Sequence, residues 1–228
     1  MVDIMKISIV IPAHDEAETI AQCLASIQIA IEQLPSTFTA SVLVVLDSCT
    51  DDTLKIVQAT GFDYLCCYYQ CVGQVRDLGI RHAIAHGATW LACTDADSTV
   101  PMDWLVQQME HLDQQRADMI CGVVSINNWG HLSSQTQQAY ITHYQDKMGH
   151  RHIHGANLSF SSDAYLATGG FAPLTCHEDV DLVNRFRARR YTITWSNRVR
   201  VLTSSRLQAR AKEGFGAFLA NLEKVSWS

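Results

Sequence analysis

Five short apolar runs alternate with stretches of helical spacing, and this alternation constrains the fold more than any other feature of the chain. "ISIVIP" is β-branched and stops at Pro12; "SVLVVLD" stops at Asp47; "FDYLCCYYQ", "TWLACTDAD" and "DMICGVVSI" follow. Between them the apolar residues recur with a helical period. Ile20, Leu24, Ile27 and Ile31 mark a helix over 16–34, and further helices are expected over 51–60, 73–86 and 101–115, the last with Pro101 near its first turn. Continuous apolar strands joined by helices dictate an α/β fold with a mostly parallel central sheet covered on both faces. After about residue 128 the alternation stops. A polar helix over 132–147, a short "HIHGANLSF" segment, a helix over 178–190, two strands ("TITWS" and "RVRVL") and a final helix from 206 are expected. No repeat, low-complexity tract or Pro/Gly-rich linker interrupts the 228 residues. The expectation is one domain over 1–228, with halves meeting at 127/128 and a basic, amphipathic C-terminal helix over 206–228.

Composition narrows the function classes. A formal net charge of −6 gives no general attraction to nucleic acid. Arg and Lys are concentrated over 185–224, which points an anionic ligand or surface toward the C-terminal part. Eight cysteines invite a disulfide framework, but the opening "MVDIMKISIVIPAHDE" lacks the form of a secretory signal. Cys66, Cys67, Cys93 and Cys121 lie in apolar runs, where thiols behave as small buried hydrophobes. A reducing cytoplasm is expected. No apolar stretch approaches 18 residues, so no membrane span is expected.

The polar residues that follow the strands carry the chemistry. Asp95 and Asp97 sit two apart at the end of "TWLACTDAD", so both face one side of an extended segment. Alone, such a pair is also what a solvated turn before a helix looks like. Two other strand ends add to it: His14, Asp15 and Glu16 after the first, Asp47 and Asp51 after the second. Asp51 suits a helix cap; Asp47 has no such role. Arg76 stands near the start of the next helix, as a phosphate or base contact or as a surface partner of Asp77. Together these groups describe one cleft at the carboxyl ends of the strands, where open α/β sheets bind ligands. Hard oxygen donors there suit Mg2+ or Mn2+ shared with substrate phosphates.

The ordered set resembles the family-2 glycosyltransferases. It comprises Pro12-Ala13-His14-Asp15-Glu16, the 47–51 segment, the 73–79 segment with Arg76, Asp95-Ala96-Asp97, Gly169-Gly170-Phe171 and Glu178-Asp179, over about residues 6–205. The resemblance implies the glycosyltransferase A fold, with a Rossmann-like nucleotide-sugar-binding half (1–127) and a mixed acceptor and catalytic half (128–205). It implies a nucleoside-diphosphate-sugar donor (UDP-, GDP- or dTDP-linked), a divalent metal (Mn2+ or Mg2+), a hydroxyl acceptor such as one on a lipid or polysaccharide precursor, and inversion at the anomeric carbon. Pro12, His14 and Glu16 correspond to the turn lining the nucleotide, Asp47 to the acceptor of the base's hydrogen bond, and Arg76 to a nucleotide contact. Asp95, with Ala96, falls on the ribose side and Asp97 is the metal ligand. Asp179 corresponds to the catalytic base, with Glu178 as orienter or sugar contact. Their place in a helix's first turn would favour ionised carboxylates. Gly155, Asn157, His177 and Trp129 fall on the acceptor side; Trp129 is equally a packing residue. The Gly169-Gly170 pair is backbone geometry.

The chain also departs from the family pattern. "LDSC" stands where many relatives carry two acidic residues, and Thr203, Ser204 and Ser205 stand where many place a metal-binding histidine. Metal would then be held by Asp97, diphosphate and water alone, or with a histidine from elsewhere in the chain, and Arg206 is a candidate diphosphate contact. His150, His152 and His154 share a face if extended, as a polar lining near the acceptor, ordinary surface or a metal site. A sugar nucleotidyltransferase is the rival enzyme class, but the loop "PAHDEAET" lacks the glycines that hold a triphosphate. A non-catalytic nucleotide-sugar-binding protein is the other rival, which the intact Asp95, Asp97 and Asp179 set opposes. The stretch after 206 has three open readings: an anionic surface on the inner membrane face, packing on the domain, or a homodimer contact.

Overall fold

The computed structural model describes residues 4–126, 128–130, 132–205 and 215–226. Strands β1 (Met5–Ala13), β2 (Phe38–Asp47), β3 (Asp63–Cys67) and β4 (Trp90–Cys93) lie in the order β3-β2-β1-β4, all parallel. Helices α1 (Ile20–Glu32), α2 (Thr53–Thr60) and α3 (Val72–Ala85) make the crossovers. The apolar runs are continuous because both faces are covered. Ile7, Ile9 and Ile11 of β1 pack with Ile20, Leu24 and Ile27 of α1, while Val10 turns to the other side against Val75 and Ile80 of α3.

The second half extends the same sheet. β5 (Ser98–Thr99), α4 (Trp104–Gln115) and β6 (Met119–Ile126) come next, then α5 (Ser134–His143), β7 (Leu158–Ser161), α6 (Ser162–Thr168), α7 (Glu178–Ala188), β8 (Ile193–Thr203) and α8 (Phe215–Ser226). β7 lies antiparallel between β4 and β6, β8 runs parallel to β6, and β5 closes the edge antiparallel to β8. The full order is β3-β2-β1-β4-β7-β6-β8-β5. The parallel crossovers leave β1 in opposite directions toward β2 and toward β4, so a crevice opens at the carboxyl ends of β1 and β4.

The two strands expected over 192–202 form one strand with a bulge. The register of β8 on β6 slips between Cys121↔Trp195 and Val123↔Arg200. Asn157 fills the slip: its Nδ2 donates to Val123 O (2.8 Å) and Val199 O (2.9 Å), and its Oδ1 accepts from Trp104 Nε1 (3.0 Å). Residue 122 must be glycine, because a Cβ there would lie 2.1 Å from Asn157 Nδ2.

Other expectations resolve in plain packing terms. Cys66 is exposed rather than buried, because β3 is the sheet's edge strand; all eight cysteines are free thiols. Among the described residues from 185 onward, four arginines have partners of their own within the domain. Arg185 pairs with Asp181, Arg200 with Asp146 and Arg198 with Glu110, while Arg187 lies 4.8 Å over the Trp195 ring. In α8, Leu219 is fully buried against Ile126 and Tyr140, and Glu223 accepts from Ser133 N and Oγ. Among the described residues no helix is long and apolar enough to cross a membrane. Arg206 lies outside the described residues.

Candidate active site

The turns after β1 and β2 are stitched together by carboxylates. Asp15, at φ 50°, accepts from Thr50 N (2.6 Å) and Asp51 N (3.2 Å). Asp51 Oδ2 accepts from Ala17 N and its Oδ1 from Thr53 N, so it ties the first residue of α2 to the neighbouring turn, one position before the N-cap residue Asp52. Glu16 is buried; its backbone N–H donates to Thr53 Oγ1 (2.7 Å), its carbonyl starts α1, and its carboxylate accepts from Thr19 Oγ1. His14 Nδ1 lies 2.6 Å from Asp47 O; a carbonyl only accepts, so Nδ1 carries the proton. Asp47, at the end of β2, is buried and its Oδ1 accepts from Tyr69 N (2.8 Å). These contacts fix two faces of one cavity, of about 1030 Å³, bordered by Pro12, His14, Glu16 and Asp47 on this side.

The opposite side comes from the end of β4 and the start of α7. Asp95, Ala96 and Asp97 follow β4, and all three border the cavity. His177, in the left-handed region at φ 61°, turns the chain into α7 and presents Glu178 and Asp179. Arg76, in the first turns of α3, is 3% exposed. It is neither a partner of Asp77 nor a surface group: Nη2 binds Asp95 Oδ1 at 2.6 Å and Nε binds Glu178 Oε1 at 3.2 Å. Asp77 pairs instead with Arg81 and accepts from Tyr165 Oη.

The electrostatics of the cavity are lopsided. Among the described residues, Glu16, Asp47, Asp95, Asp97, Glu178 and Asp179 border it, against the guanidinium of Arg76. Burial raises the Glu178 carboxyl, with Arg76 opposing. It also raises the Asp179 carboxyl, opposed by the Val180 N–H and Arg76. Helix-terminal position alone would favour the ionised form; removal from water outweighs it here. An excess of carboxylates in one concavity calls for a cation. Among the described residues no group of three or more His, Cys, Asp or Glu forms a closed metal cage. Asp97 fits a hard cation that completes its shell with phosphate oxygens and water. Next to it in the chain, Ser98 Oγ donates to Thr203 Oγ1 (3.1 Å), and Thr203, at the strand end that lacks a histidine, borders the cavity.

A third wall is built of neutral rings. His152 stacks on Tyr144 at 4.1 Å and 4°, and Tyr144 Oη pairs with His154 Nε2 at 3.0 Å. Burial lowers all three imidazoles of the run, His154 to about 3. The period-two pattern does put the three rings side by side, and His152 and His154 border the cavity. Tyr144, Gln70 and Cys176 also border it, and nothing in their local sequence distinguishes them from ordinary loop and helix residues. Gly155 and His177 border the cavity, whereas Asn157 and Trp129 do not. Asn157 is held in the sheet, and Trp129 packs edge-on against Tyr140 (5.4 Å).

Comparison with known proteins agrees with this architecture. The model of "Glycosyl transferase family 2" matches residues 8–166. No curated protein sequence matches the chain. Among solved structures, Staphylococcus aureus TarS 1–349 with UDP-GlcNAc superposes with a TM-score of 0.69 at 16% identity, covering 97% of this chain and 66% of that one. Mycobacterium tuberculosis glucosyl-3-phosphoglycerate synthase, with Mg2+ and UDP, gives 0.62 at 17%, covering 96% and 79%. The mannosyltransferase PcManGT of Pyrobaculum calidifontis, with GDP-Man and Mn2+, gives 0.65 at 17%, covering 93% and 59%. The chain thus spans about two thirds of the TarS 1–349 chain, and these structures share its glycosyltransferase A architecture. With the family matched over more than half of its length, the chain belongs to glycosyl transferase family 2.

Proposed function

We propose that this protein is a divalent-metal-dependent inverting glycosyltransferase, moving a sugar from a nucleoside-diphosphate donor to an acceptor hydroxyl. The observation that carries this reading is the single cavity in which Asp95-Ala96-Asp97 faces Glu178-Asp179 across the crevice. The similar structures hold UDP-GlcNAc, UDP with Mg2+, and GDP-Man with Mn2+, which supports a nucleoside-diphosphate donor and leaves its base open. Asp47 offers a carboxylate acceptor, which suits uracil, thymine or guanine, each with a ring N–H to donate.

The chain's own groups divide the work. His14, Glu16 and Asp47 line the nucleoside end, and Asp95 the ribose side. Asp97 would hold Mn2+ or Mg2+, whose charge neutralises the leaving diphosphate when bound. Asp179 takes the proton of the acceptor hydroxyl as it attacks the anomeric carbon from the face opposite the diphosphate. One base acting on one acceptor gives inversion. A carboxyl raised by burial is a better base than an exposed one, provided it is ionised at the working pH. The neutral Tyr144, His152 and His154 wall suits a hydroxyl-bearing acceptor better than a charged one, because uncharged rings supply hydrogen bonds without a net field.

The experiment is a thermal-shift series with UDP, GDP and dTDP, each with Mn2+ or Mg2+. One nucleoside diphosphate should raise Tm only with metal, by the equivalent of about 2.7 kcal/mol at a hundredfold excess over Kd. Asp97→Ala should abolish the metal-dependent part. No stabilisation by any of the three, or a shift that Asp97→Ala leaves intact, refutes the assignment.

A further inference from the structure

We propose that Arg76 is a positioning residue, not a nucleotide contact. By pairing with Glu178 and Asp95 together, it ties the start of α7 to the end of β4 and leaves Asp179 as the carboxylate free to serve the acceptor. The inference rests on the glycosyltransferase reading above.

The geometry leaves little alternative. The guanidinium reaches partners 19 and 102 residues away in sequence, Asp95 at 2.6 Å and Glu178 at 3.2 Å. Its remaining nitrogen, Nη1, is buried, and the group as a whole is 3% exposed, so its donors are turned to these two carboxylates rather than to solvent. Gly155 packs flat against the group: a Cβ there would lie 2.8 Å from Nη2 and 3.2 Å from Cζ. Swinging out toward a nucleotide would break both ion pairs and strand Glu178, which is 6% exposed, without its cation.

The consequence is a division between two adjacent carboxylates. Glu178 is engaged by Arg76. Asp179 instead accepts from Val180 N (2.8 Å) and from the Gly155 backbone, so Gly155 touches both the guanidinium and the base. Among the described residues, the charged groups facing Asp179 are Arg76, Glu178 and Asp95, with the Cys121 thiol also within its field. A planar fork holds two carboxylates at fixed angles; a lysine ammonium keeps the charge but not the fork.

Arg76→Lys is therefore the informative variant. Affinity for UDP and GDP with Mn2+, by calorimetry, should stay within about threefold of wild type, while kcat for cleavage of UDP-GlcNAc, UDP-glucose or GDP-mannose falls by at least about tenfold. The acidic limb of the kcat–pH profile should move to higher pH, because a less well-held cation favours ionised Asp179 less. Glu178→Gln should lower kcat with nucleotide affinity unchanged, and add little on top of Arg76→Lys. Should Arg76→Lys fail to fold, Glu178→Gln alone decides: an unchanged kcat overturns the proposal. A tenfold loss of nucleotide affinity in Arg76→Lys, or independent multiplication of the two variants' effects, also overturns it. If wild type neither binds a nucleoside diphosphate nor cleaves a donor, the glycosyltransferase reading fails separately. The Asp179 carboxyl, followed by 13C NMR titration, then tests the tie: a higher pKa in Arg76→Lys upholds it and an unchanged one refutes it.

Discussion

Burial lifts the carboxyl of Asp179 above its ordinary value of 3.8, against the pull of the Val180 N–H and Arg76. A carboxyl raised in the folded state stabilises the fold while it is protonated. That contribution is complete below the unfolded value and is lost as pH rises through the folded value. At neutral pH an ionised Asp179 is therefore a burden on stability. Asp179→Asn should raise Tm at pH 7, and the gain should vanish as pH falls below about 4, where the wild-type carboxyl is protonated in both states. Donor cleavage should fall by about 10²–10⁴-fold. Calorimetry across pH 3–8 checks the first point, and a variant less stable than wild type at pH 7 would contradict it. The residues gathered around this cavity were largely legible in the sequence, because Asp47, Asp95, Asp97, Glu178 and Asp179 follow strands or open a helix. The contacts of Arg76 and Asn157 were not. Arg76 meets Glu178 across 102 residues, and local sequence does not reveal a contact at that range.

At the scale of elements, the first-half strands and helices follow from their apolar runs, each long enough and regular enough to permit one reading. β8 was less legible. "TITWSNRVRVL" looks like two strands because polar residues 196–198 interrupt the pattern, yet they belong to a bulge within one strand. The bulge depends on Gly122 and Asn157, which are distant in sequence from β8. This makes Asn157 a structural residue, and its removal should behave as such. Asn157→Ala would leave Val123 O, Val199 O and Trp104 Nε1 without their partner in a buried site. Each such group costs roughly 1–3 kcal/mol, so the unfolding free energy should drop by at least about 2 kcal/mol. Nucleotide affinity should not change. Urea denaturation paired with nucleotide calorimetry tests this; a stable variant with weakened binding would place Asn157 in the site instead.

At the scale of the whole molecule, the sequence conveys a parallel sheet but not its continuation, in which β7 inserts antiparallel between β4 and β6. "LSFS" carries no mark of direction or partner. The C-terminal helix is the other global feature that patterning left open, since a basic and apolar stretch fits a membrane, a second subunit or its own domain equally well. Packing decides for Leu219 and Leu222, which cover Ile126, Tyr140 and Trp129, while Glu223 holds the N-terminus of α5. Tyr140 in turn stacks on Tyr144 at 4.9 Å, so this contact also backs the neutral wall of the cavity. Leu219→Ala should therefore behave as a core truncation, lowering unfolding free energy by about 2–5 kcal/mol. For a chain of this size that amounts to a Tm drop of roughly 4–20 °C. Co-sedimentation with vesicles containing anionic lipid should be the same for wild type and for a chain ending at Ser205. A Leu219→Ala variant with unchanged Tm, together with vesicle binding that requires residues 206–228, would show that the helix leaves the domain for a membrane surface.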